Sequence, residues 1–258
     1  MTVPLLFITG ASSGIGQAMA IEWARRGGRL ALVARRGDEM RAWIAAQGWS
    51  AERAAVYVAD ARDLAAMTAA GRDCIATQGL PDVVIANAGI SVGVDVAIES
   101  DLEVLRATLE TNNLGMAATF QPFMAPMRER RDGTLVGIAS VAGIRGLPGH
   151  AAYSLSKAGV ISFCESLRVE CRPFGVRVVT IAPGYIDTPL TQGNSYSMPF
   201  LMPADKFARQ ALDAIAAGVG LRVIPWQMGA LARLLRILPN WIYDRVLAGR
   251  PRKARKSQ

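Results

Sequence analysis

The sequence has few of the residues that form metal centres and disulfide frameworks. It contains one histidine, His150, and three cysteines without paired spacing, Cys74, Cys164 and Cys171. Zinc sites and disulfide-rich secreted domains depend on cysteines and histidines at characteristic spacings. We therefore expect no metal site, no disulfide framework, and three buried thiols in a reducing compartment.

Long apolar runs are missing as well. No uninterrupted run approaches the ~20 residues that a membrane span requires. The apolar stretch 4–8 is too short for a signal peptide and has no basic residue before it. Hydrophobic residues make up 51% of the chain and charged residues 19%, which argues against disorder. We expect a cytoplasmic globular protein, and 258 residues suit one α/β domain.

Most of the chain also lacks an excess of either charge. Up to Leu221 there are 20 basic and 20 acidic residues, whereas from Arg222 onward there are nine basic residues and one acid, Asp244. The net charge of +8 therefore belongs to the C-terminal segment. A nucleic-acid-binding body would carry its own basic face, so we expect no nucleic-acid partner.

The apolar runs that are present have the length of buried strands and alternate with helical patterns. This alternation is typical of a Rossmann-like fold, a doubly wound parallel sheet with helices on both faces in three α/β/α layers. Seven strands are predicted, at 5–9, 29–34, 54–59, 82–86, 134–139, 176–182 and 221–224. Helices are predicted at 17–26, 63–78, 101–121, 153–169 and 203–217.

A glycine-rich turn directly follows the first predicted strand. Gly10, Gly14 and Gly16 have the spacing Gly-x-x-x-Gly-x-Gly, and a helical pattern begins at Gln17. A strand, a glycine-rich turn and a helix N-terminus together bring backbone N–H groups against a pyrophosphate. The turn therefore predicts a dinucleotide site.

The end of the second predicted strand carries cations where an NAD site carries an acid. An acidic residue there binds the ribose 2′-hydroxyl of NAD, but this chain has Arg35 and Arg36. Guanidinium groups suit a 2′-phosphate, so we predict NADP rather than NAD. The alternative is that one or both arginines are merely solvated, Arg36 more readily than Arg35. Asp60 follows the third strand, where it could read an adenine edge.

A possible acid–base pair lies later in the chain. Tyr153 and Lys157 are four residues apart in a helical pattern, so their side chains share a face. A cation beside a phenol stabilises the phenolate, which predicts a Tyr153 pKa below its reference of about 10. Ser140 precedes Tyr153 by thirteen residues. Earlier, Asn112, Asn113 and Gly115 interrupt a helical pattern and predict a local distortion.

Together these motifs resemble those of the short-chain dehydrogenase/reductase family. They reach from Thr9 to Thr188, about three quarters of the chain, in the family's order and spacing. The matching stretches are Thr9-Gly10-x-x-x-Gly14-Ile15-Gly16, Asn87-Ala88-Gly89, Asn112-x-x-Gly115, Ser140, Tyr153-x-x-x-Lys157 and Pro183-Gly184.

The resemblance implies four catalytic residues. Tyr153 would exchange a proton with the substrate oxygen, and Lys157 would hold the nicotinamide ribose and lower the Tyr153 pKa. Ser140 would bind the substrate oxygen, and Asn112 would anchor a water. Asn113 is an alternative to Asn112, which is preferred because it lies three residues before Gly115. The implied cofactor-binding residues are Gly10, Ser12, Ser13, Gly14, Ile15, Gly16, Arg35, Arg36, Asp60, Ala61, Asn87, Ala88, Gly89, Tyr153, Lys157, Pro183, Gly184, Ile186 and Thr188.

The implied activity is NADP(H)-dependent interconversion of a carbonyl and an alcohol. The substrate would be a lipophilic small molecule, such as an acyl-chain, steroid-like or broad-range carbonyl compound, and the enzyme a homodimer or homotetramer. An alternative is a nucleotide-sensing binding protein that kept the fold without turnover. We expect the loop 185–203 to close over the substrate and His150 to be a packing or substrate-wall residue.

Residues 226–258 extend a catalytic domain formed by residues 1–225. A stripe of four leucines has helical spacing, a second helix carries Trp241, and a basic tail at 250–256 is expected to be disordered. We expect the leucines to pack on the same domain or on a partner subunit. Contact with an anionic membrane surface is the less favoured alternative. The stripe consists of Leu231, Leu234, Leu235 and Leu238.

Overall fold

A computed structural model describes residues 3–192, 194, 197–249 and 251–255. The strands in this part of the chain are β1 (Leu5–Thr9), β2 (Arg29–Ala34), β3 (Ala54–Val58), β4 (Val83–Ala86), β5 (Thr134–Ile138), β6 (Arg177–Pro183), β7 (Ile186–Asp187), β8 (Met202–Pro203) and β9 (Leu221–Ile224). Seven of them form one parallel sheet in the order β3-β2-β1-β4-β5-β6-β9. The strand order reverses beside β1, so the loops after β1 and β4 diverge and leave a crevice at the carboxyl edge.

The helices cover both faces of the sheet. They are α1 (Gly14–Arg25), α2 (Gly37–Ala46), α3 (Leu64–Gln78), α4 (Asp101–Leu109), α5 (Gly115–Arg130), α6 (Ala151–Cys171), α7 (Pro189–Gln192), α8 (Ala204–Ala216), α9 (Trp226–Ile237) and α10 (Asn240–Leu247). A π-helical turn, Glu110–Leu114, joins α4 to α5. The predicted three-layer fold and the predicted helix distortion are both confirmed.

Side-chain alternation along β1 explains why the sheet is covered twice. Leu6 and Ile8 belong to the cluster under α1 and α8, whereas Leu5 and Phe7 belong to the cluster under α3, α5 and α6. All four are at most 1% exposed. Burying one such side chain contributes about 1.5–3 kcal/mol, so the two apolar faces hold helices on both sides.

Two helix assignments need correction. The helix predicted to end before Pro122 continues to Arg130 through Pro122 and Pro126. Phe123 and Met127 in this stretch are fully buried in the core, and this packing outweighs the unfavourable prolines. Helix α2 was not predicted; its turns bury Met40 and Ile44 against β2 and β3.

The C-terminal extension packs on the body through fewer apolar residues than its leucine stripe predicts. The buried side of α9 consists of Met228, Gly229 and Ala232. Leu234 is 53% exposed, and the neighbouring Ile237 is 78% exposed. Leu234 is therefore not covered by this chain's own body, because α9 presents Met228, Gly229 and Ala232 to it. Packing of Leu234 on a partner subunit stays a prediction.

An arginine joins the extension to the loop after β5. The Arg145 guanidinium donates hydrogen bonds to the backbone carbonyls of Leu235, Arg236 and Leu238 at the end of α9. It also lies 3.9 Å from the centroid of the Tyr243 ring in α10. A cation is favourable at a helix C-terminus and over an aromatic face, so Arg145 fixes the position of both helices. Among the described residues, no helix is long and apolar enough to cross a membrane.

Candidate active site

A cavity of about 540 Å³ opens at the carboxyl edge of the sheet, over the glycine-rich turn. Gly10 and Gly14 have φ of +67° and +60°, a left-handed conformation that favours glycine. At Gly16 a Cβ would lie 2.5 Å from the Asn87 side-chain nitrogen and would also overlap the Gly10 carbonyl. These glycines allow the turn to stay tight and its N–H groups to approach a ligand.

Hydrogen bonds join the loop after β1 to the loop after β4. The Thr9 hydroxyl accepts hydrogen bonds from the backbone N–H groups of Asn87 and Ala88, both at 3.1 Å. The Asn87 amide donates to the carbonyls of Thr9 and Gly10 at 3.0 and 3.3 Å. Thr9 was not predicted as a site residue. Its position at the junction of a strand and a glycine turn is the sequence signal that could have identified it.

Three arginines surround one end of the cavity. Arg36 donates to the hydroxyls of Ser12 and Ser13 at 3.0 and 3.1 Å. Arg36 also pairs with Glu39 at 2.8 Å. The arginine interpreted as the more readily solvated one thus has more partners among the described residues than Arg35, and its contact with a cofactor stays a prediction. Arg35 lies 3.7 Å from Asp60. Arg62, which was not predicted, lies 2.9 Å from Asp60 and holds the pKa of that carboxyl below its usual value.

The other end of the cavity holds the predicted acid–base group. Helix α6 carries Tyr153 and Lys157, and both side chains line the cavity together with Ser140. The buried Lys157 ammonium donates to the Ile138 carbonyl at 2.8 Å and lies 5.7 Å from the Tyr153 ring centroid. The Ser140 hydroxyl accepts from the Ala142 N–H at 3.2 Å, and it is hydrogen-bonded to Tyr153. The structure thus brings the three groups together.

The pKa of Tyr153 moves in the direction opposite to the one predicted. Burial raises it, and the hydrogen bond with Ser140 opposes that effect only in part. Burial also lowers the pKa of Lys157 to about 8. The prediction of a lowered Tyr153 pKa is wrong in this structure, because the low-dielectric environment disfavours both charged forms. The phenol is therefore protonated at neutral pH.

Asn112 lies behind the cavity wall. Its amide nitrogen donates to the Ser156 hydroxyl at 2.9 Å and to the Ile90 carbonyl at 3.0 Å, and its oxygen accepts from the Ile90 N–H at 2.8 Å. The π-helical turn aims it in this direction. Asn113 instead donates to the Ser156 carbonyl at 2.8 Å.

The cavity collects nearly all of the predicted site residues. Gly16 and Asn112 are not part of its lining. The predicted residues that line it are Gly10, Ser12, Ser13, Gly14, Ile15, Arg35, Arg36, Asp60, Ala61, Asn87, Ala88, Gly89, Ser140, Tyr153, Lys157, Pro183, Gly184, Ile186 and Thr188.

Comparison with known proteins identifies the family. The family model described as short chain dehydrogenase matches residues 5–198. The chain belongs to the short-chain dehydrogenase family. An uncharacterized oxidoreductase of Myxococcus xanthus is 39% identical over 247 residues, which cover 95% of this chain and 96% of that protein.

Solved structures of this family share the fold. A short-chain dehydrogenase of Burkholderia cenocepacia in complex with NADP has a TM-score of 0.82 at 21% identity, over 95% of this chain and 98% of that one. A 3-oxoacyl-[acyl-carrier protein] reductase of Brucella melitensis with bound NAD has a TM-score of 0.74 at 28% identity, over 86% and 89% of the two chains. As a short-chain dehydrogenase, the protein is an oxidoreductase acting on CH–OH groups.

The C-terminal tail of this short-chain dehydrogenase is ordered where the structure describes it. Residues 251–255 run beside the loop after β4, where Arg255 pairs with Asp101 at 2.7 Å and Arg252 pairs with Asp95 at 3.2 Å. The expectation of a disordered tail is therefore wrong for 251–255, because two carboxylates hold it. Arg250 and Lys256 lie outside the described residues.

The only histidine of the sequence lies at the mouth of the site. His150 is 9% exposed, and its ring nitrogen is 3.0 Å from the Pro148 carbonyl. Burial lowers its pKa, and the charge of Lys253 lowers it further. His150 is thus a neutral wall residue beside Ser140 and Tyr153, the position that the sequence predicted for it.

Proposed function

We propose that this short-chain dehydrogenase interconverts a carbonyl and an alcohol with NADP(H). The observation that carries the proposal is the cluster of Ser140, Tyr153 and Lys157 in the wall of the cavity that contains the glycine-rich turn. A binding protein needs the turn but has no use for a buried phenol and ammonium next to it. Bound nicotinamides in the Brucella and Burkholderia structures support a nicotinamide cofactor here.

The residues present fit a dinucleotide along the whole cavity. The glycine turn and the start of α1 offer N–H groups to a pyrophosphate, and Gly14 lies so close to Thr188 that a Cβ would be 3.4 Å from the threonine side chain. The loop after β6 therefore lies across from the turn. Pro183, Gly184, Ile186 and Thr188, which line the cavity there, would hold the nicotinamide end.

The chain's own residues would orient the substrate and move one proton. A bound nicotinamide would supply the hydride. The hydroxyls of Ser140 and Tyr153 would hydrogen-bond the carbonyl oxygen, and Tyr153 would donate its proton to that oxygen in reduction. Its raised pKa keeps the phenol protonated at neutral pH, which is the form that reduction requires. Asn112 would support this arrangement from behind through Ser156 and Ile90.

The substrate proposed is a lipophilic ketone or the corresponding alcohol, because Val141, Leu147 and Leu190 line the space beyond Ser140. A panel of carbonyls and alcohols of increasing chain length, followed by NADPH absorbance, tests the activity. Turnover of at least one carbonyl compound is expected. Saturable NADPH binding without turnover of any compound would instead indicate the nucleotide-sensing alternative.

Cofactor choice rests on the arginines. We expect Arg35→Ala and Arg36→Ala each to weaken NADPH binding by about 10- to 100-fold, the value of a hydrogen bond to a charged group, and to change NADH binding little. Fluorescence titration with both cofactors measures this. Arg41→Ala is the control, because Arg41 pairs with the exposed Asp38 outside the cavity. Equal losses for both cofactors would show that the arginines support the turn and do not select NADP.

We also propose a homodimer or homotetramer, located in the cytoplasm. The outer side of α6 leaves Leu155, Phe163 and Val169 between 40% and 67% exposed, an apolar surface that a second copy would cover. Light scattering should give a mass of two or four chains, and Phe163→Glu should shift it toward one. Leu64→Glu, on α3, is the matched control. The free cysteines, all three of them buried, suit a reducing compartment.

A further inference from the structure

A second, smaller space of about 60 Å³ adjoins the main cavity beyond the reacting groups. Ser140 and Tyr153 line both spaces, so a substrate whose carbonyl meets these hydroxyls would reach into the smaller one. Lys253, from the C-terminal tail, lines the far side of this space. The fold thus brings a residue near the C-terminus of the chain next to the proposed reaction centre.

The tail is held firmly enough to place a side chain. The Gly93 N–H donates to the Ala254 carbonyl at 2.9 Å, and Gly93 pairs with Arg255 in a parallel bridge. A Cβ on Gly93 would overlap the Lys253 carbonyl, so the close approach depends on glycine. Arg255 adds two hydrogen bonds to the buried Asp101, at 2.7 and 2.9 Å.

Lys253 differs from the two arginines of the tail in its partners. Arg252 and Arg255 each face a carboxylate. Within the described part of the chain, the Lys253 ammonium has a neutral acceptor, the Asn194 side-chain oxygen, and no salt bridge. Lys253 is half-buried, so its ammonium is partly removed from water, and no carboxylate of the described residues pairs with it.

A desolvated cation without a counter-ion makes a binding site for an anion. Burial costs the charged form free energy, as the lowered pKa of Lys253 shows. An anionic ligand would remove that cost through a charge-assisted hydrogen bond. His150, which faces the same space, is neutral and supplies no competing positive charge.

We propose that Lys253 is a substrate-specificity residue that binds a carboxylate on the substrate. The substrate would then be an oxo acid with an apolar chain, or its hydroxy acid. Its carbonyl would meet Ser140 and Tyr153, and its carboxylate would lie in the small space against Lys253. This inference rests on the proposed carbonyl–alcohol activity of the same site.

The test compares an oxo acid with its methyl ester, with NADPH as cofactor. The ester keeps the carbon skeleton and removes the charge. We expect the full-length protein to prefer the acid at least 10-fold in kcat/KM. Lys253→Met should raise KM for the acid about 10- to 100-fold, with kcat within a few-fold and the ester unaffected. Lys253→Arg should retain part of the preference.

Two further variants separate recognition from general effects of charge and packing. Lys206→Met removes the same charge from an exposed position of α8, and it should behave as the parent. Arg255→Gln releases the tail from Asp101, and it should weaken the acid preference because Lys253 is then no longer placed. An acid preference that survives in Lys253→Met would overturn the inference while the proposed function stands.

A binding measurement distinguishes failure of the inference from failure of the proposed function. Calorimetric titration of the oxo acid and its methyl ester into the NADP⁺-loaded protein requires no turnover, because neither the carbonyl compound nor the oxidised cofactor has a hydride to transfer. Preferential acid binding that is lost in Lys253→Met supports the carboxylate site even if the panel of carbonyls gives no reaction. Equal binding of acid and ester by the parent would overturn the inference.

Discussion

Tyr153→Phe should lower kcat by about 10²–10⁴-fold, the usual contribution of a general acid or base. NADPH binding should stay within a few-fold of the parent. The substitution removes only the phenol oxygen, and the ring continues to fill its place beside Lys157. Steady-state kinetics and a cofactor titration on the same preparation measure both quantities.

Tyr57→Phe is the matched control for this substitution. The Tyr57 hydroxyl is bonded to Thr77 and Gln78 at 2.8 and 3.1 Å, away from the cavity, so kcat should not change. Near-parental turnover by Tyr153→Phe would remove Tyr153 from the proton-transfer step and leave the cavity as a binding site.

Lys157→Met should lose activity and gain stability. In the cofactor-free protein, burial lowers the pKa of Lys157 from 10.5 to about 8. Between these two values the unfolded chain binds more protons than the folded one, so the free energy of unfolding rises with pH through this window. The full rise is on the order of 3 kcal/mol. Below pH 8 the folded state carries this cost, and methionine removes it.

Thermal unfolding between pH 7 and pH 10.5 tests this expectation. The parent should gain stability across the range relative to Lys157→Met, and at pH 7 the variant should unfold at the higher temperature. Lys206→Met should follow the parent curve. A variant that is less stable than the parent at pH 7 would mean that the hydrogen bond to Ile138 outweighs the cost of burying the ammonium.

The core of the fold was predictable because its signals are local. Each strand of the main sheet is a short apolar run, and the motifs that follow the strands carry the site. The glycine-rich turn was predictable because position 16 has no room for a side chain and only glycine fits there. Even the distortion around Asn112 was visible in residues that form helices poorly. The continuation of α5 through Pro122 was not predictable from the sequence, because it depends on the burial of Phe123 in the core.

The parts that could not be predicted depend on burial and on contacts distant in sequence. A Tyr-x-x-x-Lys spacing says that two side chains share a face, but it does not say how far water is excluded from them. The sign of the Tyr153 pKa change follows from that exclusion. Likewise, nothing near Lys253 in the sequence indicates that Gly93 and Asp101, some 150 residues earlier, hold it at the substrate space.

The π-helical turn at Glu110–Leu114 makes the orientation of Asn112 depend on the number of residues in the turn. A π-turn holds one residue more than the α-helical register on either side would require. Deleting Leu114 would restore a continuous α-helix and rotate the preceding segment, Asn112 included, by about 100° relative to α5. With Phe123 and Met127 held in the core, the position of Asn112 would then be taken by a neighbour aimed elsewhere. An ordinary surface helix tolerates the loss of one residue. Here the loss would remove the hydrogen bonds by which Asn112 links Ser156 to Ile90, although every site residue would still be present in the sequence.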